Sequence, residues 1–227
     1  MKPFLVEVNS QKNPFFSFYK GGEDFTKYLI GKNHILLVSG ISDSIIVPET
    51  DDYDIIDEFA VNLSNCNNKG VIIHIHNECY RVNFYSDLFG YSPIFYRKNG
   101  EIIWVTNSIN EFDIYPRKIN INSILDFLLF HYQTGSTTPY EDVNRLCGGN
   151  KLSISKSSCQ QVNFSNIVDV LLKNFDPVYH FEKNLGKFLA QEIEKKRLSE
   201  FETYLTLTGG FDSRTLFAVM LGKKLHF

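Results

Sequence analysis

The residues of this chain whose types and spacing could do chemistry form the segment Thr208-Gly-Gly-Phe-Asp-Ser213. Just before it, Tyr204 to Leu207 alternates apolar and β-branched residues and predicts a buried strand. Just after it, Arg214 to Leu221 predicts an apolar helix, with Asp212 and Ser213 as its N-caps. A strand, a glycine turn and a helix N-terminus bring free N–H groups and the positive end of a helix dipole together, and oxyanions bind at such places. The segment therefore predicts a phosphate site.

The order of its glycines and polar residues indicates which kind of phosphate site this is. A Walker A loop needs four residues between its glycines and then Lys-Ser/Thr, and a dinucleotide fingerprint needs G-x-G-x-x-G; the segment has neither. It matches Ser/Thr-Gly-Gly-x-Asp-Ser, the pyrophosphate-binding loop of ATP pyrophosphatases. The predicted ATP and pyrophosphate contacts are Leu207, Thr208, Gly209, Gly210, Asp212 and Ser213. An ordinary strand-to-helix turn with a polar cap is the alternative.

Length, charge and cysteine content limit the classes of function. The 227 residues exceed one small domain, since domains contain roughly 100–200 residues. The net charge of -3 gives no reason to expect nucleic acid or an anionic membrane as a partner. The four cysteines form no C-x-x-C pair, and no apolar run has the length of a membrane span or a signal-peptide core. We expect a cytoplasmic protein with reduced thiols.

Short alternating segments in the first half predict an antiparallel, sheet-rich fold. Single strands are predicted at 4–8 and 15–19, and hairpins at 34–47, 71–86, 94–106 and 151–164. Asn99-Gly100, between alternating segments, is the strongest of the turn signals. The alternating histidines His74 and His76 could bind a metal with Glu78 or Cys79, but a packed or surface pair is the preferred interpretation because no third ligand converges by spacing.

Three helices with apolar stripes are predicted around these strands. The first covers Tyr53 to Leu63, and the third starts at Asp176-Pro177 and reaches Ile193. The second covers Ile119 to Tyr132, and its predicted buried side consists of Ile121, Ile124, Leu125, Leu128 and Leu129. The composition changes near residues 164–170, which predicts one domain at 1–166 and a second at 167–227.

Several segments resemble the asparagine synthetase family. Asp87-Leu-Phe-Gly-Tyr-Ser-Pro-Ile-Phe-Tyr96 is similar to that family's Asp-x-x-Gly-x-x-Pro-Leu-Tyr-Tyr segment. Thr106-Asn107-Ser108 follows after a hairpin, as it does there, and Arg145-Leu-Cys-Gly-Gly-Asn-Lys-Leu152 resembles the family's turn before the last strands of its first domain. The glycine segment at 208–213 then comes in the same order as in the family.

The resemblance implies an α+β chain in two parts. The first would be a four-layer αββα domain of the Ntn-hydrolase type, which frees ammonia from glutamine in active members. The second would be an α/β ATP pyrophosphatase that uses ATP and Mg²⁺ to adenylate a carboxylate, which ammonia or an amine then attacks. A homodimer is left open.

The chain departs from the family at the glutaminase site. Active members expose a cysteine after removal of the initiator methionine, and this chain has Lys2 there. The family's Asn-Gly-Glu triplet is also not visible, so we expect no glutaminase activity. Asp87 matches a family position that holds the glutamine amine, so it could belong to a vestigial ligand pocket. The preferred interpretation is that its carboxylate shapes its own turn.

A second departure lies at Phe227, just after the first strand–helix unit of the synthetase domain. One strand and one helix cannot complete a parallel sheet. Either the chain is a fragment of a longer enzyme, with the remainder of the synthetase domain as its partner, or the natural product is truncated. In either case we expect no ligase activity from these residues alone. The alternative function is a non-catalytic scaffold that docks a peptide or a second chain.

Overall fold

The chain divides into two compact units, residues 1–173 and 174–227, and each is described by itself. A computed structural model describes residues 2–9, 12, 15–40, 45–66, 70–112, 118–166, 169, 187, 189–191, 205–206 and 210–222. Among these residues, no helix is long and apolar enough to cross a membrane.

The first unit contains two antiparallel sheets, so the predicted α+β class is confirmed. The strands are β1 (Leu5–Asn9), β2 (Phe16–Lys20), β3 (Thr26–Ile30), β4 (His34–Ser39), β5 (Val71–His76), β6 (Arg81–Tyr85), β7 (Ile94–Asn99), β8 (Ile102–Thr106), β9 (Val143–Leu146), β10 (Asn150–Ile154) and β11 (Cys159–Asn163). The five-stranded sheet has the order β2-β1-β8-β7-β9, and the six-stranded sheet has the order β11-β10-β6-β5-β4-β3. The predicted hairpins β5–β6, β7–β8 and β10–β11 are confirmed.

The main core lies between the two sheets. Because side chains alternate along a strand, every second residue of each strand faces the opposite sheet. Val6 and Val105 from the five-stranded sheet and Ile73, Phe84 and Leu152 from the six-stranded sheet are fully buried in this core. This alternation in the sequence is the reason why the strands could be predicted.

A helix covers the outer face of the six-stranded sheet. Helix α1 (Tyr53–Cys66) begins after Asp52, whose side chain accepts a hydrogen bond from the Asp54 amide at 2.9 Å. Ile56 and Ala60 of α1 are buried in a second core with residues of β4, β5 and β6, among them Tyr85. The predicted first helix is confirmed, and it extends three residues further than predicted.

The predicted pairing of β4 with residues 44–47 is wrong. Strand β4 pairs with β3 and β5 instead, and residues 45–50 form no strand. The turn between β3 and β4 contains Gly31 at φ 56, and Asp51 accepts a hydrogen bond from the Lys32 amide at 2.6 Å. Strand β3 was missed because Thr26, Lys27 and Leu29 are exposed at the edge of the sheet, so the strand lacks a regular apolar pattern.

The apolar stripe of the second helix faces away from the core, contrary to the prediction. Helix α2 (Ile121–Phe130) is capped by Asn120, which accepts a hydrogen bond from the Ser123 amide, and it ends at His131 with φ 61. Ser123 is its one buried residue. The stripe predicted to be buried is exposed, with relative accessibilities from 36% for Ile124 to 71% for Leu129. The spacing of apolar residues gave the stripe correctly but not its direction.

A lysine at the centre of this stripe is expected to be tolerated. Leu128 is 66% exposed, so Leu128→Lys should change the free energy of unfolding by less than about 0.5 kcal/mol. The matched control is Leu152→Ala, because Leu152 is fully buried and its truncation should cost about 2–5 kcal/mol. Both are measured by urea denaturation followed by the fluorescence of Trp104, the one tryptophan of the chain. A loss of several kcal/mol in Leu128→Lys would contradict the exposed orientation.

Helix α3 (Phe211–Gly222) is the main described element of the second unit. The predicted strand at 204–207 lies partly outside the described residues, and its two described members, Leu205 and Thr206, are not in a strand. Most of the predicted helix from Asp176 to Ile193 also lies outside the described residues, although 187 and 189–191 are helical.

Candidate functional site

Strand register brings distant segments of the first unit to one end of the five-stranded sheet. Leu5 pairs with Thr106, which also pairs with Phe95. Ile94 pairs with Leu146. The segments just beyond these pairs are therefore neighbours, namely 2–4, Asn107, 87–93 and 147–149. Three of the segments that resemble the asparagine synthetase family thus meet at one place.

The Asp87 carboxylate is occupied by its own turn. Asp87 is fully buried. Its Oδ1 accepts hydrogen bonds from the amides of Phe89 and Tyr91, both at 3.0 Å, and its Oδ2 accepts one from the Ser92 amide at 2.7 Å. Since three donors already satisfy the two oxygens, the geometry favours the turn-shaping role of Asp87 over contact with a ligand.

The turn at residues 147–149 packs directly against the turn that Asp87 shapes, and its glycines allow the close contact. The Gly149 amide donates to the Asp87 carbonyl at 3.1 Å, and the Ser86 hydroxyl donates to the Cys147 carbonyl at 2.8 Å. A Cβ at Gly148 would lie 2.7 Å from the carbonyl oxygen of Leu88, closer than a methyl group can approach. Glycine at position 148 is therefore what lets the two turns touch.

Replacing the Asp87 carboxylate by an amide should weaken the fold. In Asp87→Asn one acceptor oxygen becomes an NH₂ group. This group cannot accept a hydrogen bond, so the backbone N–H donors that it faces lose their partner. We expect the free energy of unfolding to fall by about 2–3 kcal/mol, measured by urea denaturation. Asp54→Asn is the control, since Asp54 is exposed in the first turn of α1 and its charge contributes about 0.3–1 kcal/mol. Equal losses in the two variants would contradict the role given to Asp87.

The start of β1 is held in place by Asn107. Its side chain accepts from the Phe4 amide at 2.9 Å and donates to the Lys2 carbonyl at 3.1 Å. The Lys2 ammonium group is exposed and lies 3.9 Å from Asp24. Lys2 thus presents an amine where the resemblance implies a thiol. Cys147 has a free thiol and directly follows β9, so it lies at the same end of the sheet as Lys2. The two residues are far apart in the sequence, so the sequence did not indicate that they share this end.

The first turn of α3 carries the described part of the predicted phosphate site. The helix begins directly after Gly210. The prediction that Asp212 and Ser213 are its N-caps is therefore wrong, because both residues lie inside the first turn. The Gly210 carbonyl accepts hydrogen bonds from the Ser213 hydroxyl at 3.4 Å and from Arg214 Nε at 3.2 Å. Asp212 is exposed. The predicted contacts Leu207, Thr208 and Gly209 lie outside the described residues.

A partly buried polar network lies between α1 and the six-stranded sheet, and sequence reasoning missed it. Its members come from α1, β4, β5, β6 and β10 and are Tyr53, Asp57, His34, His74, Asn83, Tyr85 and Lys151. Asp57 is the centre: it accepts from the Lys151 ammonium at 2.6 Å and from the Tyr85 hydroxyl at 2.5 Å. Burial, followed by the charge of Asp57, raises the pKa of Tyr85 well above its usual value.

His74 and His76, the alternating histidines of the sequence, both contact His34 but in different ways. The His74 ring contacts His34 at 3.0 Å beneath α1, and the His76 ring stacks on His34 at 4.2 Å between centroids. Glu78 accepts a hydrogen bond from Asn33, and Cys79 is exposed. In the described part of the chain, no group of three or more histidine, cysteine or acidic side chains is arranged to hold a metal ion.

No family model matches the chain, and no curated protein matches it. The resemblance therefore rests on the motifs and their order alone.

Proposed function

We propose that this chain carries part of an ATP-dependent, AMP-forming amide-bond ligase of the asparagine synthetase type. The observation that carries the proposal is the match of residues 208–213 to the pyrophosphate-binding loop, together with the position of Gly210 directly before α3. The first four N–H groups of a helix have no partner within the helix. At α3 these include the amides of Phe211 and Asp212, which can donate to phosphate oxygens.

The chemistry requires such donors because a carboxylate is a poor electrophile. Adenylation gives it a good leaving group, and the departing pyrophosphate carries charge that must be neutralised. The amides at the start of α3 and the Ser213 hydroxyl would donate hydrogen bonds to it. The exposed Asp212 carboxylate would repel a phosphate unless a cation lay between them. It fits as one ligand of Mg²⁺, which usually takes one or two carboxylates together with phosphate oxygens and supplies the neutralising charge when bound.

In this proposal the first unit is a scaffold of the αββα, Ntn-hydrolase type that has lost its glutaminase activity. Two stacked antiparallel sheets with α1 on one outer face support that assignment. The amine of Lys2 in place of a thiol, and the engaged carboxylate of Asp87, support the loss of activity. The nitrogen would then come from free ammonia or from an amine substrate.

Binding of magnesium pyrophosphate and magnesium ATP, measured by calorimetry, tests the loop. Asp212→Ala and Ser213→Ala should each weaken binding about tenfold or more, a difference of about 1.4 kcal/mol. Thr215→Ala is the matched control on the same helix, because its hydroxyl donates to the Phe211 carbonyl at 2.9 Å, and it should bind like the wild type. Undiminished binding in Asp212→Ala would refute the assigned role. Pyrophosphate release with candidate carboxylic acids, in any longer product of the reading frame, then tests the ligase reaction.

The exposed stripe of α2 favours a second candidate, a non-catalytic scaffold that docks a peptide or a second chain. Five aliphatic side chains on the solvent side of one helix form a contiguous apolar surface, and such surfaces mark interaction sites. The same calorimetry separates the candidates. A scaffold would bind neither magnesium pyrophosphate nor magnesium ATP, whereas the ligase would bind both.

A further inference from the structure

Two buried hydrogen-bond acceptors lie side by side beneath α1. Nδ1 of His74 and Oδ1 of Asn83 have no hydrogen-bond partner in the described part of the chain. His74 on β5 is directly paired with Asn83 on β6, and the two residues are 1% and 0% exposed. Directly paired residues have Cβ atoms about 4.5–5.5 Å apart. Both side chains also contact Tyr53 of α1: the His74 and Tyr53 ring centroids are 5.4 Å apart, and Asn83 Nδ2 donates to the Tyr53 hydroxyl. The two residues therefore share one environment beneath α1, which is independent of the proposed function.

The contacts of His34 determine which nitrogen of His74 carries the proton. Nε2 of His34 lies 3.2 Å from the backbone carbonyl oxygen of Asp51, which can only accept, so this nitrogen is the donor. In a neutral ring, Nδ1 of His34 is then an acceptor, and it lies 3.0 Å from Nε2 of His74. Nε2 of His74 must consequently donate, which leaves its Nδ1 with a bare lone pair. His34 and His74 are both buried, at 3% and 1% exposed, and burial disfavours a charged ring.

The orientation of the Asn83 side chain is fixed by its other contacts. Its Nδ2 donates to the Asp57 carboxylate at 3.0 Å and to the Tyr53 hydroxyl at 2.6 Å. A carboxylate can only accept, so the NH₂ group must point toward α1. The remaining oxygen, Oδ1, is therefore an acceptor as well. Two acceptors cannot bond to each other, so the site needs a molecule with two donors.

We infer that one buried water molecule bridges His74 Nδ1 and Asn83 Oδ1 and donates one O–H group to each. Water offers two donors on a single atom, and buried waters typically occupy such positions between polar groups. A metal ion fits less well, since no third histidine, cysteine or acidic ligand converges there among the described residues. The Lys151 ammonium, bonded to Asp57 at 2.6 Å, already supplies a cation to this network.

The bridging water positions α1 on the sheet. With Oδ1 satisfied, the Asn83 amide stays in the orientation in which Nδ2 reaches Tyr53 and Asp57, both on α1. The same water keeps His74 in the tautomer that donates to His34. The site thus joins β4, β5 and β6 to the helix through one solvent molecule.

Nuclear magnetic resonance of the whole, isotopically labelled chain tests the inference. We expect a long-range ¹H–¹⁵N correlation spectrum at neutral pH to show His74 with an unprotonated Nδ1 and a protonated Nε2. We also expect rotating-frame cross-peaks between water and both the His74 ring protons and the Asn83 side-chain amide. A proton on Nδ1 would overturn the inference, because His74 could then donate directly to Asn83. Cross-peaks to ammonium in place of water would also overturn it.

A pair of variants provides an independent readout. His74→Phe removes one acceptor, and the water cross-peak to the Asn83 amide should be lost. His76→Phe is the matched control on the same strand and should keep that cross-peak. An unchanged cross-peak in His74→Phe would show that the water does not bridge these residues. If His74→Phe fails to fold, the spectra of the wild type decide.

Discussion

Lowering the pH from 6.5 to 3 is expected to remove about 4 kcal/mol from the free energy of unfolding through His74 alone. Burial, followed by the neighbouring His34, lowers the pKa of His74 from 6.5 to about 3. The unfolded chain therefore binds a proton below pH 6.5 that the folded chain accepts only near pH 3. The stabilisation is complete above that window and is lost as the pH falls through it. Other ionisable groups facing His74 are Asp57, His76 and Lys151.

The effect can be separated from the protonation of carboxylates by a variant that does not titrate. His74→Gln keeps a polar side chain but has no ionisable ring. Between pH 6.5 and pH 5, the wild type should lose about 2 kcal/mol more than this variant, measured by urea denaturation with Trp104 fluorescence. The pKa of His76 is also lowered, with burial as the largest cause, so its contribution has the same sign and is common to both proteins. Identical pH profiles would contradict the prediction.

Local patterns predicted most of the two sheets because strand alternation and turn chemistry act over short distances. The β7–β8 hairpin was predicted from Asn99-Gly100, and Gly100 has the positive φ of 60 that such a turn requires. The edge strand β3 and the short β9 were missed. Most of the β3 side chains are exposed, and β9 leads into a glycine turn, so neither shows a clear apolar alternation.

The direction of α2 and the polar network could not be predicted from the sequence for a different reason. An apolar stripe on a helix shows that one side differs from the other, but not what covers it, and the stripe containing Leu125 and Leu128 is exposed. The contact between His34 and His74 joins residues forty positions apart. Only the register of β4 with β5 brings them together, and no local spacing rule encodes that register. The motif at residues 87–96 singled out Asp87, but the sequence could not predict that the Asp87 carbonyl contacts the Gly149 turn, because only the fold brings the two together.

The ion pair between Lys151 and Asp57 is expected to be the most costly polar contact to break on this face of the sheet. Its Nζ–Oδ2 distance is 2.6 Å, and the two side chains are 15% and 17% exposed. Asp57→Asn would leave the mostly buried ammonium of Lys151 without a counter-charge, and removal of one partner of a buried pair costs about 3–5 kcal/mol. Replacement of both partners, in Asp57→Asn with Lys151→Met, should cost less than the sum of the single variants, since neither charge then remains unpaired.

The control for this cycle is the pair Lys20–Glu111, with an N–O distance of 2.9 Å. Lys20 is 56% exposed there, so solvent screens the attraction and the coupling should stay below about 1 kcal/mol. Both cycles are measured by urea denaturation at neutral pH. Similar contact distances with different coupling would mean that burial, and not distance, sets the strength of the Lys151 pair. Equal coupling in the two cycles would contradict the prediction, because burial would then not set the strength of the Lys151 pair.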